Sequence, residues 1–212
     1  MKPIIIKEVG PRDGLQNEKE SIPTAIKADF IAALLTSGLK HIEITSFVRP
    51  DRIPQLADGR DLIALLKERD LWNPAVYSAL VPNRKGLESA LEAGLQEIAV
   101  FTAASEAFTQ KNTNCTIEES LQRIAEIMAV AAPAGLKARA YISTVVECPY
   151  SGRISPEAVR AVALPLLEMG IYEISLGETI GVAVPDEIAS LLDCLLEDIP
   201  PGHSFAQCVP QS

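Results

Sequence analysis

An α/β fold built on a parallel sheet is what this 212-residue sequence predicts. Three observations predict it. A Gly followed by an apolar residue and a strand-like run recurs four times, at Gly38-Leu39, Gly94-Leu95, Gly135-Leu136 and Gly170-Ile171. Each follows an Ala/Leu-rich segment of helical period, so the Gly ends a helix in the left-handed conformation and the run behind it is the next strand. The resulting strict strand–helix alternation calls for parallel neighbours joined by right-handed crossovers. Lastly, several strands carry one polar face. A doubly wound sheet, covered by helices on both sides, wants apolar residues on both. Strands lining the mouth of a (β/α)8 TIM barrel tolerate a polar face.

In chain order, Ile4-Ile5-Ile6 leads a strand over 4–9. A helix over 23–36 precedes strand 40–46, where His41, Glu43 and Thr45 share a face opposite Ile42 and Ile44. Helix 59–69 is followed by strand 75–81. Asn83 opens helix 84–93, ahead of strand 96–102. Thr116-Ile117-Glu118-Glu119 is a capping box for helix 117–132. Strand 137–145 sets Arg139, Tyr141 and Ser143 on one face. Ser155-Pro156 supplies an N-cap and a first-turn proline to helix 156–169. Strand 172–177 sets Glu173 and Ser175 opposite Ile174 and Leu176, and Pro185-Asp186 opens a helix over 186–197. For Arg139 and Glu173, mutual satisfaction inside a packed barrel is the alternative to a substrate role. About six βα units reach residue 198, short of the eight in a closed barrel of about 250 residues. The expected organisation is therefore an incomplete (β/α) barrel over 1–198 and a divergent tail over 199–212, which adds a seventh strand at best.

Charged residues make up 22% and hydrophobic ones 48%, a globular rather than disordered balance. A net charge of −9 without a Lys/Arg run argues against nucleic acid as a partner. No apolar run approaches the roughly 18 residues of a membrane span, and Met1-Lys2-Pro3 leads straight into a strand, leaving no room for a targeting peptide. Cys115, Cys148, Cys194 and Cys208 show no CxxC or zinc spacing, so a reduced, cytoplasmic setting is expected.

Chemistry concentrates in Glu8-Val9-Gly10-Pro11-Arg12-Asp13-Gly14-Leu15-Gln16-Asn17-Glu18, directly after the first apolar run. A turn needs Gly, Pro, Asn or Asp for backbone reasons, but not an adjacent Arg-Asp pair. Asp offers oxygen to a hard cation, and Arg offers a fixed fork of donors to an oxyanion. The alternative is a surface loop with a local ion pair.

This string, with Ile42-Glu43-Ile44-Thr45-Ser46-Phe47-Val48, Ala103-Ala104-Ser105-Glu106, Asn112 to Ser120, Cys148-Pro149-Tyr150 and Glu173 to Gly181, resembles hydroxymethylglutaryl-coenzyme A lyase. The resemblance runs from residue 4 to about 198. The wider group holds metal-dependent barrel lyases and Claisen-type acyl-CoA synthases, and the long Gly-Pro-Arg-Asp-Gly-Leu-Gln-Asn-Glu string points to the lyase. It implies an acyl-CoA substrate, retro-Claisen cleavage of 3-hydroxy-3-methylglutaryl-CoA to acetyl-CoA and acetoacetate, and a divalent metal, Mg²⁺ or Mn²⁺. It makes Asp13 a metal ligand and Arg12 the group that binds the thioester carbonyl. Glu43 becomes a second catalytic position beside Arg12, and Gln16, Asn112, Ser175 and Thr179 become substrate-binding or support positions.

Departures from the family pattern are specific. A His-x-His pair expected on strand seven is not recognisable, since His41 and His203 are the only histidines, and neither His203 nor Cys208 has family-like neighbours. The expectation that follows is a truncated chain of doubtful activity, with unpaired edges on strands one and six that invite aggregation or self-association into a homo-oligomer. A related Claisen-type synthase and a non-catalytic barrel fragment are the alternatives. Glu178 stands where the family has Asp, and Cys148 is expected to pack a loop.

Overall fold

The computed structural model describes residues 5–199 and the strand 204–208. The chain forms two compact units, residues 1–98 and residues 99–212. In the first, β1 (Lys7–Glu8) leads through a wide helical turn, Gly10–Gly14, to α1 (Thr24–Thr36), β2 (His41–Ser46), a short turn at Pro54–Leu56, α2 (Gly59–Glu68), β3 (Val76–Leu80) and α3 (Arg84–Glu92). β4 (Glu97–Ala103) carries the chain into the second unit. There α4 (Glu106–Thr113), α5 (Ile117–Ala131), β5 (Lys137–Ser143), the hairpin strands β6 (Glu147–Cys148) and β7 (Gly152–Arg153), α6 (Pro156–Glu168), β8 (Glu173–Gly177), α7 (Pro185–Leu196) and β9 (Ser204–Cys208) follow. This is the succession of an incomplete (β/α)8 barrel.

Parallel pairing holds in both units. β2 lies between β1 and β3, with Glu8 opposite Ile42 and Ile42 opposite Tyr77. The β2–β3 register slips once, so that Glu43 faces Ser78 while Thr45 faces Ala79. That slip interrupts the strict alternation of faces expected for this strand. β8 lies between β5 and β9, with Arg139 opposite Glu173, Tyr141 opposite Ser175, and Ser175 opposite Ala206. The edge of strand six, expected to be open, is therefore covered by Ser204–Cys208.

The punctuation read from the sequence is in place. Gly38, Gly94, Gly135 and Gly170 take φ of 97°, 73°, 74° and 89°. Asn83 Oδ1 accepts from Gly86 N at 3.0 Å, and Ser155 Oγ accepts from Ala158 N at 3.3 Å. Thr116 and Glu119 exchange side-chain and backbone bonds at 3.0 and 2.8 Å. The last helix starts one residue early: Pro185 occupies its first position, and Glu187 reaches back to accept from Val184 N at 3.0 Å.

Three further elements differ from expectation. The first strand covers only Lys7–Glu8; Ile5 and Ile6 are 61% and 64% exposed, and Gly10-Pro11 turns the chain at once. Helix α4 went unread because its polar residues show little apolar periodicity; it is set by Ser105, whose Oγ accepts from Phe108 N at 3.3 Å, and ended by Asn114 at φ 51°. β5 stops at Ser143 rather than 145 because Thr144 takes φ 58°, a left-handed conformation that is strained for a β-branched residue.

The core of the first unit is Ala28 and Ile31 of α1, Ile42 and Ile44 of β2, and Leu62 and Leu66 of α2, all fully or nearly fully buried. Full burial of each such Leu or Ile contributes about 1.5–3 kcal/mol. α2 approaches β2 closely. A Cβ on Gly59 would lie 2.6 Å from Thr45 Oγ1. Gly59→Ala should therefore destabilise the protein by about 1–3 kcal/mol through overpacking. Chemical denaturation measures it, and an unchanged midpoint would show that Thr45 gives way.

Candidate active site

Arg12 and Asp13 lie in the wide turn that follows β1, at the C-terminal end of a parallel strand, where barrel enzymes carry their reactive groups. Pro11 fixes the backbone at the start of the turn, and the amides of Arg12 and Asp13 both donate to Val9 O, at 3.0 and 2.7 Å. Arg12 is buried. Its Nε donates to Glu43 Oε1 and its Nη1 to Asp13 Oδ1, so one guanidinium is held between two carboxylates. Glu43 projects from the middle of β2 and is 0% exposed. An Arg so pinned is preorganised, and little rotamer freedom remains to be lost when an oxyanion meets it.

Burial pushes the Asp13 carboxyl above its ordinary range, and the Glu43 charge adds to that. The Arg12 guanidinium pulls the other way without cancelling the shift. Gln16 follows within one turn, half-buried, and its Oε1 has no hydrogen-bond partner among the described residues. Arg12, Asp13 and Glu43 are thus brought together as expected, with Gln16 close in sequence.

The remaining expected positions belong to the second unit. Ser175 is buried on β8 beside Glu173. Thr179 Oγ1 accepts from Thr144 N at 2.8 Å, so its hydroxyl latches the strained end of β5. Asn112 is exposed on α4, and its amide donates to Phe108 O at 3.0 Å. Glu178 is buried; one carboxylate oxygen accepts from Gly181 N and the other has no partner among the described residues. Arg139 Nη2 donates to Tyr141 Oη at 2.6 Å, and its Nη1 lies 3.9 Å from Glu173 Oε1, a buried polar cluster along β5 and β8. Burial pushes the Cys148 thiol up, but hydrogen bonds from Ser105, Ser151 and the 150–151 amides bring it below its ordinary value. His203 lies outside the described residues, and Cys208 contributes its backbone to β9.

A divalent cation needs several oxygen or nitrogen donors. Among the described residues no three His, Cys, Asp or Glu side chains converge to hold one. Asp13 offers one carboxylate already shared with Arg12, so the described donors do not complete a metal site. No helix among the described residues is long and apolar enough to cross a membrane.

The profile of a family described as HMGL-like matches residues 3–208. Mitochondrial hydroxymethylglutaryl-CoA lyase of Bos taurus is 48% identical over 207 residues, covering 98% of this chain. The chain spans 63% of that relative's length. The crystal structure of hydroxymethylglutaryl-CoA lyase from Pseudomonas aeruginosa superposes with a TM-score of 0.91 at 43% identity, over 97% of this chain and 67% of that one. An HMG-CoA lyase from Acinetobacter baumannii, solved in complex with coenzyme A and 3-methylmalate, gives 0.87 at 32% identity, over 95% of this chain and 65% of the other.

Proposed function

The chain belongs to the HMGL-like family, and from that premise we propose that it carries the retro-Claisen cleavage of 3-hydroxy-3-methylglutaryl-CoA to acetyl-CoA and acetoacetate. The observation that carries the proposal is Arg12, a buried guanidinium held by Glu43 and Asp13 at a strand end. Lyases 43% and 48% identical to the chain support the choice of reaction, and a relative solved with coenzyme A supports an acyl-CoA substrate.

In this reaction the 3-hydroxyl proton leaves to a base and the C2–C3 bond breaks. C3 becomes the ketone of acetoacetate, and the electron pair passes to C2 and the thioester oxygen as the enolate of acetyl-CoA. A proton returned to C2 completes acetyl-CoA. Arg12 donates to that oxygen as negative charge develops on it, which is worth most in a dry site where the donor needs no reorganisation. Glu43 holds Arg12 Nε and so fixes its direction; in this reading it positions rather than touches substrate. Gln16, with its unsatisfied buried oxygen, meets the substrate beside Arg12. In the second unit, Ser175 and Asn112 are proposed substrate-binding positions, and Thr179, which accepts from Thr144 N, is a proposed support position. Membership of the family implies Mg²⁺ or Mn²⁺, for which Asp13 is the proposed donor; such a cation supplies polarisation of the substrate hydroxyl when bound.

Incubation of the chain with hydroxymethylglutaryl-CoA and Mg²⁺ or Mn²⁺ should yield acetoacetate. A parallel reaction offering acetyl-CoA and a 2-oxo acid should yield no condensation product. Condensation without cleavage, or neither product, would overturn the reading.

A further inference from the structure

Lys27 is a buried cation for which the reaction above has no use. It lies in α1 among apolar neighbours and is 2% exposed. Its Nζ donates to the Gln55 carbonyl and to Asp58 Oδ1, both in the segment that connects β2 to α2. Asp58 Oδ2 in turn accepts from Thr24 Oγ1 at 2.7 Å. Helix packing alone gives no reason for the charge: an apolar side chain of similar length would fill the same space without the desolvation penalty.

The bonds continue towards Arg12. Gln55 Nε2 donates to the Glu18 carbonyl at 2.8 Å. Glu18 N donates to Leu15 O and Asn17 N to Gly14 O, each at 3.2 Å, and Asn17 Nδ2 donates to the Asp13 carbonyl at 3.1 Å. Lys27 thus fixes the Gln55 backbone, and the Gln55 side chain fixes the far end of the turn that bears Arg12 and Asp13. We propose that Lys27 is a positioning residue that aims this turn, acting through Gln55. The catalytic consequence rests on the reading of Arg12 given above; the mechanical one does not.

The test compares hydrogen–deuterium exchange over residues 12–18 in the unaltered chain, Gln55→Ala and Lys27→Met, alongside turnover of hydroxymethylglutaryl-CoA. Gln55→Ala leaves the Lys27–Asp58 pair and the apolar core in place. It should nevertheless raise exchange over 12–18 by about fivefold, the factor expected for one lost hydrogen bond. It should lower kcat by roughly tenfold with KM little changed, as misaimed groups do. Lys27→Met should do the same over 12–18, and Lys27→Arg, which keeps the charge, should restore part of the protection. Unchanged exchange over 12–18 in Gln55→Ala would overturn the proposal and leave Lys27 as an ion pair that only ties α1 to α2. Raised exchange in a chain that never cleaves the substrate would uphold the positioning role while sinking the reading of the reaction.

Discussion

Arg12→Lys should lower kcat for the proposed hydroxymethylglutaryl-CoA cleavage by on the order of 10²–10³-fold, the loss typical of removing one preorganised donor from a developing oxyanion. Lys keeps the positive charge, so Glu43 and Asp13 are not left facing an apolar gap. What it loses is the planar fork that lets one side chain serve Glu43, Asp13 and a third acceptor at once. An ammonium is a compact point charge on a flexible stem, and the two carboxylates compete with substrate for it. Acetoacetate release under saturating substrate measures the effect, with near-ultraviolet circular dichroism as the check on folding. A kcat within threefold of the unaltered chain would mean that Arg12 binds carboxylates only.

Glu43→Ala should act on stability more than any surface change. Glu43 has no exposed surface and accepts from Arg12, which is itself buried. Removing one partner of a buried pair costs up to about 3–5 kcal/mol; here Arg12 loses one of its two counter-ions and keeps Asp13. For a chain of this size the full cost is a fall in Tm of roughly 6–20 °C. Glu43→Gln keeps an oxygen for Arg12 Nε and should recover part of the loss. Thermal melts followed by circular dichroism decide it, and equal Tm values for Glu43→Ala and the unaltered chain would show that water fills the vacated space.

Local signals carried most of the fold. The four helix-ending glycines, the Thr116–Glu119 box, and the Asn83 and Ser155 caps act over a few residues, and the structure has each of them. The cluster proposed as the site was legible where residues adjacent in sequence carry it, as with Arg12 and Asp13. What stayed hidden depends on residues far apart in the chain. The hydroxyl of Thr179 is committed to Thr144 N only because Thr144 turns left-handed, and nothing local in Ser143-Thr144-Val145 announces that. Likewise Lys27 reads as one more polar residue in a helix until Gln55 and Asp58 are seen around its ammonium group. A Lys on the apolar face between Thr24 and Ile31 was the one available signal. Helix α4 escaped because its first-turn cap, rather than a periodic apolar face, defines it.

The slip in β2 divides that strand into two reading frames. Upstream of it, His41, Ile42 and Glu43 keep step with Val76, Tyr77 and Ser78; downstream, Thr45 and Ser46 keep step with Ala79 and Leu80, and Phe47 N extends the second frame by a 2.8 Å bond to Leu80 O. Ile44 is the spacer between them. Losing one residue here would not simply shorten the strand: it would merge the frames and turn every side chain beyond the join to the opposite face. Gaining one in the loop after Ser46 would disturb only the second frame. The acid that holds Arg12 therefore keeps its register when the loop fed by its own strand changes length between Ser46 and Gln55, and that loop bears on the Arg12 turn through Gln55 instead.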